Sequence, residues 1–146
     1  MIYPSADPMN RIRQLCAFLA IALVTGCSSG ADVAAARTGV AQFRELMEAQ
    51  QFRQIYEGAS GEFRKGTQEE QFIRILTAFR GKLGSVKDTK DFALKVTYRL
   101  SGTRVELSFK TEFEKGSGIE SFAYDIVQGN ASFVGYRVES PELVTN

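Results

Sequence analysis

The sequence predicts an α+β domain in which three N-terminal helices pack on a curved antiparallel meander sheet of four to five strands. Up to Gly84, apolar residues recur at intervals of three and four, as in amphipathic helices. From Phe92 onward they alternate with polar residues, as in strands that bury one face. Short glycine-containing turns separate the alternating runs, which is typical of strands joined as consecutive hairpins. Helices followed by strands indicate a sheet covered by helices on one side.

The helical part of the sequence predicts three amphipathic helices. Asp32 is a suitable N-cap for the first helix. The second is shorter and is expected to end near Gly61, and the third opens with the capping-box pair Thr67 and Glu70 and stops at Gly84. The apolar stripes are formed by Val33, Ala36, Val40, Phe43 and Met47; by Phe52, Ile55, Tyr56 and Ala59; and by Phe72, Ile75, Leu76, Phe79 and Leu83.

On the polar side of the first helix, Arg44 and Glu48 stand four residues apart. Residues with this spacing are neighbours on a helix surface, so we expect the two side chains to form an ion pair with each other.

Four alternating runs predict the strands of the sheet, and a short extra strand over residues 85–89 would bring the number to five. The runs are longer than most strands, so we expect the sheet to bend or twist strongly. Phe109 should face the helices, and Lys110 should face water. The alternating apolar positions are Phe92, Leu94, Val96, Tyr98 and Leu100; Val105, Leu107, Phe109 and Phe113; Phe122, Tyr124 and Ile126; and Val134, Tyr136 and Val138.

Residues 1–26 have the layout of a secretory signal peptide. Arg11 and Arg13 supply the positive region, and residues 15–24 form an unbroken apolar run. Ten helical residues span only about 15 Å, roughly half of a bilayer core, so this run is too short for a membrane-spanning helix. Met9 opens a signal of ordinary form and is an alternative start of the protein.

The signal ends in Val24-Thr25-Gly26-Cys27, which resembles the lipobox of bacterial lipoproteins. The resemblance implies cleavage between Gly26 and Cys27, with a diacylglyceryl group and an N-acyl chain attached covalently to Cys27. Two or more acyl chains give stable membrane attachment. Ser28, where aspartate would retain a lipoprotein at the inner membrane, implies the inner leaflet of the outer membrane. We therefore expect a lipid-anchored periplasmic protein with a short tether over residues 27–31.

The folded part is predicted to be one domain over residues 32–140, followed by a tail over residues 141–146. Its composition excludes several functions. The chain has 18 basic and 17 acidic residues, so no basic excess indicates a nucleic-acid partner. It has no histidine, and its two cysteines are the ones removed with the signal, Cys16, and lipidated, Cys27. We therefore expect no thiol- or histidine-based catalysis, no metal site and no cofactor besides the lipid.

The mature chain resembles a family of small bacterial lipoproteins and exported proteins of unknown function that have a cystatin-like, nuclear-transport-factor-2-like cone fold. The similarity covers residues 33–140, with Phe133 at a position where tryptophan is frequent. It implies the fold and no established activity. The residues that carry it are Tyr56, Ser60, Phe63, Arg64, Thr67, Phe72, Phe79, Arg80, Leu83, Gly84, Glu120, Gly135 and Tyr136.

Relatives of the cone fold include enzymes that use a buried carboxylate base with tyrosine donors. The residues that could line such a cavity here are Tyr56, Tyr98, Glu120, Tyr124 and Tyr136. Alternatively, Glu120 lies at a strand end and pairs with Arg64 or Arg80. We favour this second interpretation, and with it a non-catalytic, lipid-anchored module that binds a small ligand or an envelope protein. The other hypotheses are an enzyme with a Glu/Tyr acid–base set and a structural or assembly accessory of an envelope complex.

Overall fold

A computed structural model describes residues 28–144 as four α-helices followed by a four-stranded antiparallel sheet and a terminal 3-10 turn. The α+β class and the meander order β1-β2-β3-β4 are confirmed. Gly26, Cys27 and the predicted signal peptide lie outside the described residues. The elements are α1 (Ser28–Glu48), α2 (Phe52–Glu57), α3 (Gly61–Gly66), α4 (Glu69–Leu83), β1 (Val86–Arg99), β2 (Gly102–Phe113), β3 (Gly116–Val127), β4 (Asn130–Glu139) and the 3-10 turn (Pro141–Leu143).

The region predicted as one second helix contains two, α2 and α3, because its middle pairs with the sheet. Ala59 forms an isolated bridge with Phe133 of β4, and the Ser60 backbone N–H donates to the Phe133 carbonyl at 2.8 Å. Since this pairing takes the backbone out of the helical path, α2 ends at Glu57. Ser60 then caps α3 by accepting from the Phe63 N–H at 3.1 Å, so Gly61 begins a helix rather than ending one.

Two helix starts also differ from the prediction. Helix α1 begins at Ser28, so that residues 28–31, expected to be a tether, are helical. Helix α4 follows Gln68, and no described side chain caps it. Thr67 was expected to be the cap, but its carbonyl instead accepts a hydrogen bond from the Tyr56 hydroxyl at 2.8 Å. Gly84 ends α4 as predicted, with a φ of 78° that favours glycine.

The core lies between helices α1, α2 and α4 and the helix-facing side of β2, β3 and β4. Phe109 is buried and Lys110 is exposed, as predicted. Residues 141–143, in the predicted tail, form a turn whose Leu143 packs against a smaller apolar cluster. Within residues 28–144, no helix is both long and apolar enough to cross a membrane. The buried core residues of the three covered strands are Val105, Leu107, Phe109, Phe122, Tyr124, Ile126 and Phe133.

Strand β1 departs from the prediction that its alternating apolar residues are buried. Leu94 is 52% exposed and Tyr98 is 65% exposed, because the described helices lie over the other three strands. A register shift between Asp91 and Ala93 interrupts the alternation, and Phe92 lies beside the outward-facing Lys110, whose Nζ is 5.2 Å from the ring centroid. Of residues 85–89, considered as an extra strand, 86–89 belong to β1 and Ser85 precedes it.

The outer face of the sheet is stabilised by a cross-strand pair between Arg104 of β2 and Asp125 of β3. Arg104 donates from Nε to Oδ1, and from Nη2 to Oδ2 at 2.7 Å. The hydrogen bond from Arg104 lowers the pKa of Asp125, and partial burial opposes this shift. The pKa of Asp125 is lower in the native state than in the unfolded chain, where it is about 3.9. The ionised carboxylate therefore stabilises the fold at pH values above about 3.9. This stabilisation is lost as the pH falls through the native pKa.

Asp125→Asn is therefore expected to lower the free energy of unfolding at neutral pH by at most about 1 kcal/mol, since the pair is partly exposed. Urea unfolding at neutral pH and at about pH 2 should show the difference from wild type shrinking in acid. Asp88→Asn is the control. Asp88 is exposed, and its ion pair with Lys90 is long, at 3.9 Å. An Asp125→Asn deficit of equal size at both pH values would contradict this assignment.

Candidate functional site

A cavity of about 530 Å³ lies between α1, α4 and the helix-facing side of the sheet. Its walls are mainly apolar. The polar groups belong mainly to one arginine on each helix and to the acidic residues that contact these arginines. Because α1 and α4 supply opposite walls, the width of the cavity depends on how these two helices pack. The lining residues are Phe43, Arg44, Glu45, Met47, Glu48, Ala49, Phe79, Arg80, Leu83, Gly84, Val86, Phe113, Glu120 and Tyr136.

Glu120 of β3 is the most buried charged residue of this cavity, with 2% of its surface exposed. The two-residue period of β3 places it on the same face as Phe122, toward the helices. Its carboxylate accepts from the Tyr136 hydroxyl at 2.7 Å, from the Thr111 hydroxyl at 2.7 Å and from Arg44 Nη2 at 2.9 Å. A buried carboxylate requires such compensation, and here it has three donors and one positive charge.

Arg44 of α1, rather than Arg64 or Arg80, is the ion-pair partner of Glu120. The expectation that Glu120 lies at a strand end and pairs with Arg64 or Arg80 is therefore wrong, although its partner is an arginine. The guanidinium carbon of Arg44 also lies 4.6 Å from the centroid of the Phe109 ring, a cation–π distance. Sequence reasoning missed this contact because it assigned Arg44 to the solvent side with Glu48. The available signal was its position directly after Phe43, at the border of the apolar stripe.

Arg80 of α4 forms a second polar cluster at the edge of the cavity. Its Nη2 donates to Glu48 Oε2 at 3.1 Å and to the Ser85 hydroxyl at 2.7 Å, and this hydroxyl donates to Glu48 at 2.9 Å. Each cavity arginine thus already has a carboxylate partner. Within residues 28–144, however, the buried Nε atoms of Arg44 and Arg80 have no hydrogen-bond acceptor. Each arginine therefore retains one buried N–H donor without a partner among the described residues.

Tyr136 of β4 donates to Glu120 and is held in its protonated form. Burial raises the pKa of the Tyr136 phenol well above its ordinary value, and the adjacent Glu120 carboxylate raises this pKa further. Its ring packs on Phe43 and Phe122, with centroids 4.6 and 4.9 Å apart. Tyr136 is consequently a fixed hydrogen-bond donor in the wall of the cavity.

The structure brings two of the five predicted cavity residues, Glu120 and Tyr136, together in this cavity and places the other three elsewhere. Tyr56 lies between the short helices, where its hydroxyl donates to the Thr67 carbonyl. Tyr98 is exposed on β1. Tyr124 packs so closely against Gly39 of α1 that a Cβ there would lie 2.5 Å from its ring, and burial raises its phenol pKa.

A metal site is not formed by the described part of the chain. Among residues 28–144, no group of three or more His, Cys, Asp or Glu side chains could hold a metal ion. Of the three acidic residues that line the cavity, Glu48 and Glu120 are instead engaged with arginines.

The profile of a protein family described as "Protein of unknown function (DUF4019)" matches residues 40–136, which is more than half of the chain. The chain belongs to this family. The DUF4019 segment contains both cavity arginines together with Glu120 and Tyr136, and so includes the whole polar cluster of the cavity. No curated protein matches the chain significantly.

Proposed function

We propose that this protein is a lipid-anchored protein of the cell envelope whose folded domain is a non-catalytic binding module. The observation that carries the proposal is the cavity, in which apolar walls surround two arginines already neutralised by carboxylates. A volume of about 530 Å³ is within the range of small-molecule sites, which are mostly apolar with a few polar groups that orient the ligand.

The charges around the cavity favour an uncharged, mainly apolar ligand. An anionic ligand would have to compete with Glu120 for Arg44 and with Glu48 for Arg80. An uncharged ligand, such as one with a carbonyl or an ether oxygen, would not have to displace these carboxylates. The apolar part of the ligand would pack on the rings of the cavity wall.

The contacts of Glu120 argue against the acid–base alternative. A general base must present a free lone pair to the proton that it removes. The Glu120 carboxylate accepts from three protein donors, and Arg44 stabilises its charge. Three of the roughly four lone-pair sites of the carboxylate are therefore occupied, and little room remains for a substrate proton. We therefore propose a structural role for Glu120, which fixes the shape of the cavity floor.

Binding in the cavity can be tested by obstructing it. Ala49 is exposed and lines the cavity, so that Ala49→Trp should place an indole at the opening without burying a charge. We expect Ala49→Trp to weaken binding of the neutral apolar probe N-phenyl-1-naphthylamine by roughly tenfold, or about 1.4 kcal/mol. The measurement is a fluorescence titration of residues 28–146, which contain both apolar clusters of the fold.

Ala41→Trp is the matched control, because Ala41 is exposed on α1, the helix that ends directly before Ala49, and does not line the cavity. Its affinity for the probe should equal that of wild type. Equal affinities for both variants, or tighter binding of an anionic naphthalene sulfonate than of the neutral probe, would contradict the proposed site.

The proposed membrane anchor rests on the lipobox Val24-Thr25-Gly26-Cys27 and is tested at its cysteine. Cys27 carries the only thiol in this motif, so Cys27→Ser should abolish incorporation of radiolabelled fatty acid and leave the precursor uncleaved. Cys16→Ser, in the apolar run, should be labelled and processed normally. Labelled, membrane-bound protein from the Cys27→Ser strain would show that the anchor is elsewhere.

A further inference from the structure

One end of the sheet carries exposed apolar residues at its two turns. Leu100, in the β1–β2 turn, is fully exposed, and Val127, at the end of β3, is 50% exposed. The two turns lie at the same end because the four strands form consecutive antiparallel hairpins. The β2–β3 turn at the opposite end carries Glu114 and Lys115 instead. The turns at the first end thus expose apolar side chains, and the turn at the opposite end, which we call the charged end, carries charged residues.

The apolar surface continues from these turns along β1. Leu94 pairs with Leu107 of β2 and Tyr98 pairs with Thr103, so both side chains project from the helix-facing side of the sheet. Their partners Leu107 and Thr103 are buried, whereas Leu94 and Tyr98 are exposed. We call Leu94, Tyr98, Leu100 and Val127 the apolar end.

From its C-terminus to its N-terminus, helix α1 runs toward the apolar end. Its last residue, Glu48, accepts from the Val86 N–H at the start of β1, and Gly39 packs on Tyr124. From Gly39 back to Ser28 the helix extends about 16 Å. From Tyr124 the sheet extends only about 10 Å to Val127. Along the strand direction, α1 therefore extends past Tyr124 toward the side of the sheet that carries the apolar end, and its first residue, Ser28, directly follows Cys27.

We propose that the apolar end rests on the membrane surface, with Leu94, Tyr98, Leu100 and Val127 in contact with the lipid headgroup region. This inference rests on the proposed lipid anchor at Cys27. A helix that begins at the next residue keeps the domain against the bilayer, and contact with lipid removes the four side chains from water. Tyrosine is also a residue that favours this interface.

The same orientation places the cavity away from the membrane. Glu48, Gly84 and Phe113 line the cavity and lie toward the charged end of the sheet, where α1 ends, β1 begins and β2 ends. The cavity would therefore receive its ligand from the aqueous side and not from the bilayer to which the protein is attached.

The chain contains no tryptophan, so one introduced indole reports on a single position. The lipidated protein carrying Tyr98→Trp would be purified from membranes and reconstituted into phosphatidylcholine–phosphatidylglycerol vesicles, with or without brominated acyl chains. We expect a blue-shifted emission and quenching by the brominated lipid that is several-fold stronger than in the control. The control is Lys87→Trp, at an exposed position near the other end of β1. Adding Leu100→Asp and Val127→Asp to the Tyr98→Trp protein should reverse the quenching.

Mass spectrometry of the same sample separates the two ways in which the inference can fail. Lipid on Cys27 with equal, weak quenching of both indoles would overturn the membrane contact and leave the anchor intact. Protein without lipid on Cys27 would overturn the anchor and the inference together. A blue shift of the Tyr98→Trp protein without quenching would mean that β1 is covered by a second copy of the chain, which also overturns the inference.

Discussion

Phe122→Ala is expected to lower the free energy of unfolding by about 3–5 kcal/mol, as measured by urea denaturation. Phe122 is only 1% exposed. Its ring centroid lies 5.2 Å from that of Phe43 on α1, 5.9 Å from Phe109 on β2 and 4.9 Å from Tyr136 on β4. Removal of the ring would leave a cavity bounded by three elements that cannot all close toward it, because each is held by its own backbone hydrogen bonds.

Lys110→Ala is the control for this substitution, since Lys110 is exposed on the other face of the sheet. Its effect should stay within about 0.5 kcal/mol. A Phe122→Ala effect as small as that of Lys110→Ala would mean that β3 directs its other face toward the helices.

The ion pair between Arg44 and Glu120 is expected to be the second large contributor, because Glu120 is buried. Arg44→Met leaves the carboxylate without a positive partner, and Glu120→Gln leaves the guanidinium without a charged acceptor. Breaking a buried pair by removing one partner costs on the order of 3–5 kcal/mol. We expect about 3 kcal/mol for each variant, since the Arg44 side chain retains some exposure to water.

A double-mutant cycle distinguishes the pair from general damage to the fold. Once either partner is absent, replacing the other lowers the free energy of unfolding by less. The double variant should therefore be more stable, by more than about 1 kcal/mol, than the sum of the two single effects predicts. Lys95→Met with Glu106→Gln is the matched exposed cycle, and its pair, at 3.3 Å, should couple by about 0.5 kcal/mol or less. Strict additivity for Arg44 and Glu120 would contradict the assigned role of the pair.

The elements that the sequence predicted well are those whose signal is local. In β2 the period of two assigned Phe109 to the core and Lys110 to water, because alternation follows from strand geometry alone. The end of α4 at Gly84 follows from the positive φ that a helix stop requires and that glycine adopts without strain. The helix stripes and the turn glycines were likewise sufficient to predict the α+β class and the meander.

The features that the sequence predicted wrongly depend on which elements meet in space. The pattern of β1 predicts a buried face, but α1 lies over its neighbours, and Leu94 and Tyr98 remain exposed. The bridge from Ala59 to Phe133 divides the second predicted helix through a backbone contact that no local period reveals.

The candidate site shows the same division between sequence and tertiary structure. The sequence limited the catalytic chemistry that we considered: without histidine, and with Cys27 assigned to lipid, the acid–base hypothesis relied on carboxylates and phenols. It selected Glu120 and Tyr136 as cavity residues. Only the tertiary structure paired Glu120 with Arg44, 76 residues away, because the crossing of α1 over β3 decides which side chains meet. A buried carboxylate must have a partner, but the packing of the helix on the sheet determines which one.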